Sequence, residues 1–68
     1  MSRGSKQRDT ILRVVMHSKD HPRADWVYDQ VRQEIPNISK GTVYRNLKSL
    51  VESGDIRQLD IADGTTRF

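Results

Sequence analysis

The sequence predicts a small, mainly α domain of three helices followed by a β-hairpin, and three observations carry that prediction. Residues 38–54 read as one complete helix, signalled at both ends. Two stretches upstream repeat their apolar residues at the helical period. After Gly54 the apolar spacing changes to two residues, the period of a strand.

Residues 5–18 form the first helix, with Ile11, Leu12, Val14 and Val15 inward and Arg8, Arg13 and His17 outward or flanking. Lys19, Asp20 and His21 make the connection. Pro22 marks the start of the second helix, because a proline in the first turn lacks only an N–H that would be unpaired anyway. Ala24, Val27, Tyr28, Val31 and Ile35 then follow the i, i+3, i+4, i+7, i+11 spacing of a buried stripe, while Trp26 falls on the opposite side. Pro36 and Asn37 stop this helix. The third follows within two residues, so the second and third make a helix-turn-helix.

In the third helix Ser39 is placed to accept from the first free backbone N–H groups, and Ile38 and Val43 occupy the two positions of a hydrophobic staple. Gly54 ends it. At about 100° per residue, Val43, Leu47, Leu50 and Val51 fall on one side and Gly41, Thr42, Arg45, Lys48 and Ser49 on the other, with Tyr44 on the border. Beyond Gly54, Leu59 and Ile61 alternate with Gln58 and Asp60. Asp63-Gly64 supplies the φ > 0 positions of a hairpin turn, and Thr65 to Phe68 returns as the second strand. Three helices and a hairpin make a winged helix-turn-helix. The chain stops within the returning strand, which suggests a fragment of a longer protein.

Sixty-eight residues with 34 % hydrophobic and 31 % charged content allow one domain, residues 1–68, with a modest core. A chain of this size buries about 60 % of its unfolded surface. With 12 Lys and Arg against 9 Asp and Glu the net charge is +3, and its placement says more than its size. Residues 1–19 carry five basic residues against Asp9 alone, and residues 20–38 carry four acids against two arginines. The positive charge is thus confined to the N-terminal segment and the third helix. The absence of cysteine excludes a disulfide framework and a thiolate zinc site within these residues, and it permits a reducing cytoplasm. No apolar run approaches the roughly 20 residues of a membrane span, and no signal-peptide core follows Met1. The expectation is a soluble, cytoplasmic protein without a membrane partner.

From Ser39 to Val51 the third helix carries Lys40, Arg45 and Lys48 and no acid. Lys40 stands in the first turn, where the helix dipole disfavours a cation by about 0.3 to 1 kcal/mol. A phosphate at this end would offset that cost, since it would meet free N–H groups, the dipole and Lys40 together, with Gly41 letting the backbone approach. A solvated basic face is the simpler alternative; capping, glycine and an edge tyrosine together favour nucleic acid. Catalysis is not expected: Asp25, Asp29 and Glu34 are spaced along the exposed side of the second helix, and no Ser/His/Asp or Cys/His set or phosphate loop accompanies them. His17 suits a helix C-terminus. His21 stands at an element boundary, and one histidine is no metal site. Trp26 makes a winged helix used for protein contact the second functional hypothesis.

Taken together, Gln7-Arg8 with Ile11-Leu12, His21-Pro22-x-Ala24-Asp25-x-Val27-Tyr28, Pro36-Asn37-Ile38-Ser39 and Thr42-Val43-Tyr44-Arg45-x-Leu47 resemble the DNA-binding domain of the ferric uptake regulator (Fur) family. Gly64 through Arg67-Phe68 resembles its peroxide-sensing branch. The resemblance implies a metal-responsive transcriptional repressor that binds AT-rich palindromic operators in double-stranded DNA as a homodimer, with helix 39–53 in the major groove. By that resemblance Tyr44 and Arg45 read bases, Ser39, Lys40 and Thr42 hold the backbone with Lys48 on the same face, and Lys6 and Arg8 reach the flanking backbone or minor groove. His21 becomes one candidate ligand for a regulatory Fe²⁺ or Mn²⁺. Its partner ligands, a structural Zn²⁺ and the dimerisation surface are expected in a C-terminal domain outside this chain, so no cofactor is expected here. Arg23 stands where the family usually has a capping Ser or Thr, and Trp26 where it usually has an acid.

Overall fold

The computed structural model describes residues 3–18, 21–60 and 66–68. Its elements run α1 (Arg3–His17), α2 (Ala24–Arg32), α3 (Lys40–Glu52), β1 (Leu59–Asp60) and β2 (Thr66–Arg67). The predicted Asp63-Gly64 turn, Ile61, and Lys19 and Asp20 of the first connection lie outside the described residues. The fold is the expected winged helix-turn-helix.

The three helices meet in one core. Ile11 and Val15 come from α1, Val27 and Val31 from α2, and Val43, Leu47 and Leu50 from α3, each pair or triplet at the three-, four- or seven-residue spacing of one helical face. Ile38 and Ile56 close the core at either end of α3. Leu12, Val14, Tyr28, Ile35 and Val51 pack around it half-buried. Thr10 is also buried, although its hydroxyl marks it as polar. No buried side-chain polar atom among the described residues lacks a hydrogen-bond partner.

Both ends of α3 follow from its sequence. The Thr42 backbone N–H donates to Ser39 Oγ at 3.1 Å, and Ile38 and Val43 are both buried as the staple requires. At the other end Gly54 takes φ +84°, a conformation that L side chains avoid. Gly54 N–H then reaches Val51 O and Asp55 N–H reaches Leu50 O, the two bonds of a Schellman motif. The reversal turns Ile56 back into the core.

Helix α2 is shorter than its apolar stripe. Gln33 and Glu34 N–H bond three residues back, to Gln30 and Val31, and the helix closes at Arg32. Ile35 stays half-buried outside it, because a residue before proline is disfavoured in helical geometry. The link to α3 therefore spans residues 33–39 rather than the two predicted. At the start of α2, Arg23 makes no side-chain cap.

The hairpin is antiparallel, with Leu59 opposite Arg67 and Asp60 opposite Thr66. Its second strand is tied to the start of α2: Arg23 and Arg67 form a β-bridge, Phe68 N–H donates to Pro22 O at 2.9 Å, and Arg67 Nη1 donates to His21 O at 3.1 Å. The wing is thereby fixed beside the helix-turn-helix.

Candidate nucleic-acid interface

The exposed side of α3 starts from the alternation that buries Val43, Leu47 and Leu50. Those positions turn Gly41, Tyr44, Arg45 and Lys48 outward, and all four are exposed. Arg45 and Lys48 have no hydrogen-bond, ion-pair or ring partner among the described residues. Beside them the wing forms the other wall of a groove of about 480 Å³ lined by Ala24, Tyr44, Leu47, Lys48, Gln58 and Thr66. The fold thus presents Lys48 and Tyr44 at the junction of a helix and a hairpin, with Arg45 exposed on the same helix.

The N-terminal end of α3 is already in contact with an anion. Tyr44 Oη donates to Asp25 Oδ1 at 2.7 Å, and Lys40 Nζ lies 3.4 Å from the same oxygen. Asp25 is in the first turn of α2, where its charge suits that helix dipole. The hydrogen bond from Tyr44, with Lys40 beside it, holds the Asp25 carboxyl below the ordinary carboxylate value. The same carboxylate raises the Lys40 ammonium and the Tyr44 phenol above theirs. Lys40 also stands 5.8 Å from the Tyr28 ring centroid, which the Arg32 guanidinium approaches at 5.4 Å. The unfavourable position of Lys40 is thus offset inside the folded chain.

Other predicted residues are placed differently. Ser39 Oγ and Thr42 Oγ1 are 2.8 Å apart, so both hydroxyls are engaged in the cap. Arg8 does not project freely: its guanidinium donates to Ser49 Oγ at 3.1 Å, Ser53 Oγ at 3.2 Å and Asp55 Oδ2 at 3.0 Å, clamping α1 to the C-terminal end of α3. Lys6, two residues earlier, is exposed without a partner among the described residues. His21 is exposed in a surface cleft of about 680 Å³ shared with His17, Pro22, Trp26, Asp29 and Arg67. No three His, Cys, Asp or Glu side chains among the described residues stand together to hold a metal ion.

The sequence reading missed Asp25 as a partner of this face and Arg8 as a clamp. A signal existed for each. A lysine in the first turn of a helix calls for a neighbouring acid. Ser49 and Ser53, four residues apart, lie on one side of α3 where an arginine from another helix can reach both.

A three-helix core with a hairpin docked beside an exposed basic helix defines a winged-helix domain. The sequence profile described as the ferric uptake regulator family matches residues 2–68, and the chain belongs to that family. It is 39 % identical over 62 residues to the peroxide-responsive repressor PerR of Staphylococcus aureus (strain USA300), covering 91 % of this chain and 42 % of that protein. The chain thus spans less than half the length of the curated relatives it matches. Among solved structures it superposes on a manganese uptake regulator with TM-score 0.84 and 34 % identity, over 98 % of this chain and 47 % of that one. It also superposes on the Campylobacter jejuni peroxide stress regulator with TM-score 0.86 and 31 % identity, over 96 % and 47 % of the two chains.

Proposed function

We propose that residues 1–68 are the DNA-binding domain of a metal- or peroxide-responsive transcriptional repressor acting in the cytoplasm. The observation that carries this reading is the exposed side of α3, where Arg45 and Lys48 stand unpaired among the described residues, no acid occurs between Ser39 and Val51, and Lys48 and Tyr44 line a groove shared with the wing. A helix of this width fits the major groove of B-form DNA. Arg45 reads guanine through two parallel hydrogen bonds, and the Tyr44 ring meets thymine methyl groups. Ser39, Lys40, Thr42 and Lys48 hold phosphates, with the open N-terminal turn at Gly41 as the closest point of approach. Lys6 reaches the flanking backbone directly, and Arg8 reaches it when its contact with Asp55 opens.

In this reading the operator is palindromic, because two copies of the domain are brought together as a homodimer by residues outside 1–68, and it is AT-rich as the family resemblance implies. A regulatory Fe²⁺ or Mn²⁺, to which His21 contributes one ligand, and a structural Zn²⁺ complete the protein there. Regulation of genes, not catalysis, is the activity. The relatives' descriptions as a peroxide-responsive repressor and a manganese uptake regulator support the choice of signal.

Trp26, 43 % exposed beside His21, supports protein contact as a second reading. Salt titration separates the two. Binding of a labelled random-sequence duplex should fall linearly in log K against log salt, with a slope of about −0.9 for each phosphate neutralised. A chain that binds no duplex at about 50 mM salt would overturn the DNA reading and leave the Trp26 surface as the functional one.

A further inference from the structure

We propose that Asp25 is a specificity-determining residue that acts through α3: one carboxylate oxygen holds Tyr44 for base contact and restrains Lys40 from binding phosphate indiscriminately. This inference rests on the DNA-reading role given to α3 and goes beyond it by assigning a task to a residue of α2.

The geometry separates the two tasks. Asp25 Oδ1 accepts the hydrogen bond of Tyr44 Oη at 2.7 Å and stands 3.4 Å from Lys40 Nζ. Tyr44 is 44 % exposed and a tyrosine on a helix edge has several open rotamers, so its hydroxyl bond to a neighbouring helix selects one of them. That bond fixes the ring at the mouth of the groove between α3 and the wing. A ring already in place loses less conformational freedom on meeting a base.

The charge works in the other direction. A phosphate arriving at the first turn of α3 competes with Asp25 for Lys40, and it is repelled by the carboxylate that remains. A duplex that offers only its backbone meets this opposition without compensation. A duplex with the right base against Tyr44 gains the contact that Asp25 has prepared. The carboxylate therefore weakens nonspecific binding more than specific binding, which is how one group widens a specificity ratio. The two tasks need different chemistry: any acceptor oxygen holds Tyr44, whereas only a negative charge restrains Lys40.

Substitutions split them. Duplexes are first selected from a random-sequence pool by the unmodified chain, and a scrambled duplex serves as the nonspecific probe. Asp25→Asn keeps an acceptor for Tyr44 and removes the charge. It should tighten binding to both duplexes several-fold and steepen the salt slope by up to about 0.9, because Lys40, which divides its charge between Asp25 and phosphate in the unmodified chain, then serves phosphate alone. Asp25→Ala removes both functions. It should tighten the scrambled duplex by a similar factor and lower the ratio of selected to scrambled affinity by roughly fivefold to tenfold, the lower part of what one base contact carries. Tyr44→Phe should lower the ratio in the unmodified chain, and adding it to Asp25→Ala should lower the ratio no further. Asp25 is exposed, and circular dichroism should show all four variants folded; were Asp25→Ala to unfold, the contrast of Asp25→Asn with Tyr44→Phe carries the test. Equal changes for both duplexes in Asp25→Ala, or no tightening of the scrambled duplex by Asp25→Asn, would overturn the inference while leaving α3 as the reader. An unmodified chain that selects no sequence from the pool would overturn the reading role itself.

Discussion

Lys40 begins α3 at the end where a helix repels a cation, and three groups from α2 and α3 make the position tolerable: Asp25, the Tyr28 ring and the Tyr44 hydroxyl that shares the Asp25 oxygen. Gly41, the next residue, is a cleaner probe of what this turn is for. A Cβ added there meets nothing within 4 Å, so nothing in the folded chain requires glycine. Helix propensity favours alanine over glycine by about 0.8 to 1 kcal/mol. Gly41→Ala should therefore raise the thermal midpoint while weakening duplex binding, because a methyl group keeps phosphate off the backbone. An alanine variant that is more stable and binds DNA as well as before would remove the close approach from the interface. His21 gives a second prediction at this scale. Calorimetry with Mn²⁺ should show the same weak binding for the chain and its His21→Ala variant, since one imidazole does not make an enclosed site. A marked loss on substitution would mean that other residues of this chain complete a metal site with His21.

At the scale of elements, α3 was legible almost entirely from its sequence, because cap, staple, apolar face and terminal glycine all specify the same helix. Ser39→Ala should cost about 1 kcal/mol by leaving the Thr42 N–H without its acceptor, read as a lower melting temperature. The end of α2 was less legible. Its stripe continues to Ile35, but the proline at 36 ends helical geometry earlier, and burial outlasts the helix. Ile56 carries no periodicity of its own; the Schellman turn alone returns it to the core. The Arg23–Arg67 bridge joins residues far apart in sequence and leaves no local pattern, and the Asp25–Tyr44 contact leaves only the indirect sign of a lysine in the first turn of α3. Among the site residues, Arg45 and Lys48 are exposed as helical phase requires, whereas the clamp made by Arg8 was signalled only by the Ser49–Ser53 spacing, because its three partners lie more than 40 residues away. The α2–α3 contact also has a pH signature. Asp25 is depressed by Tyr44 and Lys40, so its contribution is present above the ordinary carboxylate value and is lost as pH falls through the lower folded value. Nuclear magnetic resonance titration of the Asp25 carboxyl should show a lower midpoint than in the Tyr44→Phe variant. Equal midpoints would show that the hydroxyl does not hold the carboxylate in solution.

As a whole molecule the chain places a shared core beneath a helix whose other side is exposed, and the wing is pinned by the same segment that starts α2. Leu47 is fully buried where α3 meets the core. Leu47→Ala should cost about 2 to 5 kcal/mol, a large part of the roughly 3 to 10 kcal/mol available to a domain of this size, and should abolish DNA binding through unfolding. Arg45→Ala leaves the core untouched, so it separates reading from folding. The role assigned to α3 rests on that separation. Affinities of Arg45→Ala and Lys40→Ala for single-base variants of a selected duplex should differ in kind: Arg45→Ala costs about 1 to 3 kcal/mol and loses preference at particular base pairs, whereas Lys40→Ala weakens every duplex alike. If both substitutions weaken all sequences equally, Arg45 reads no base and α3 is not the recognition helix.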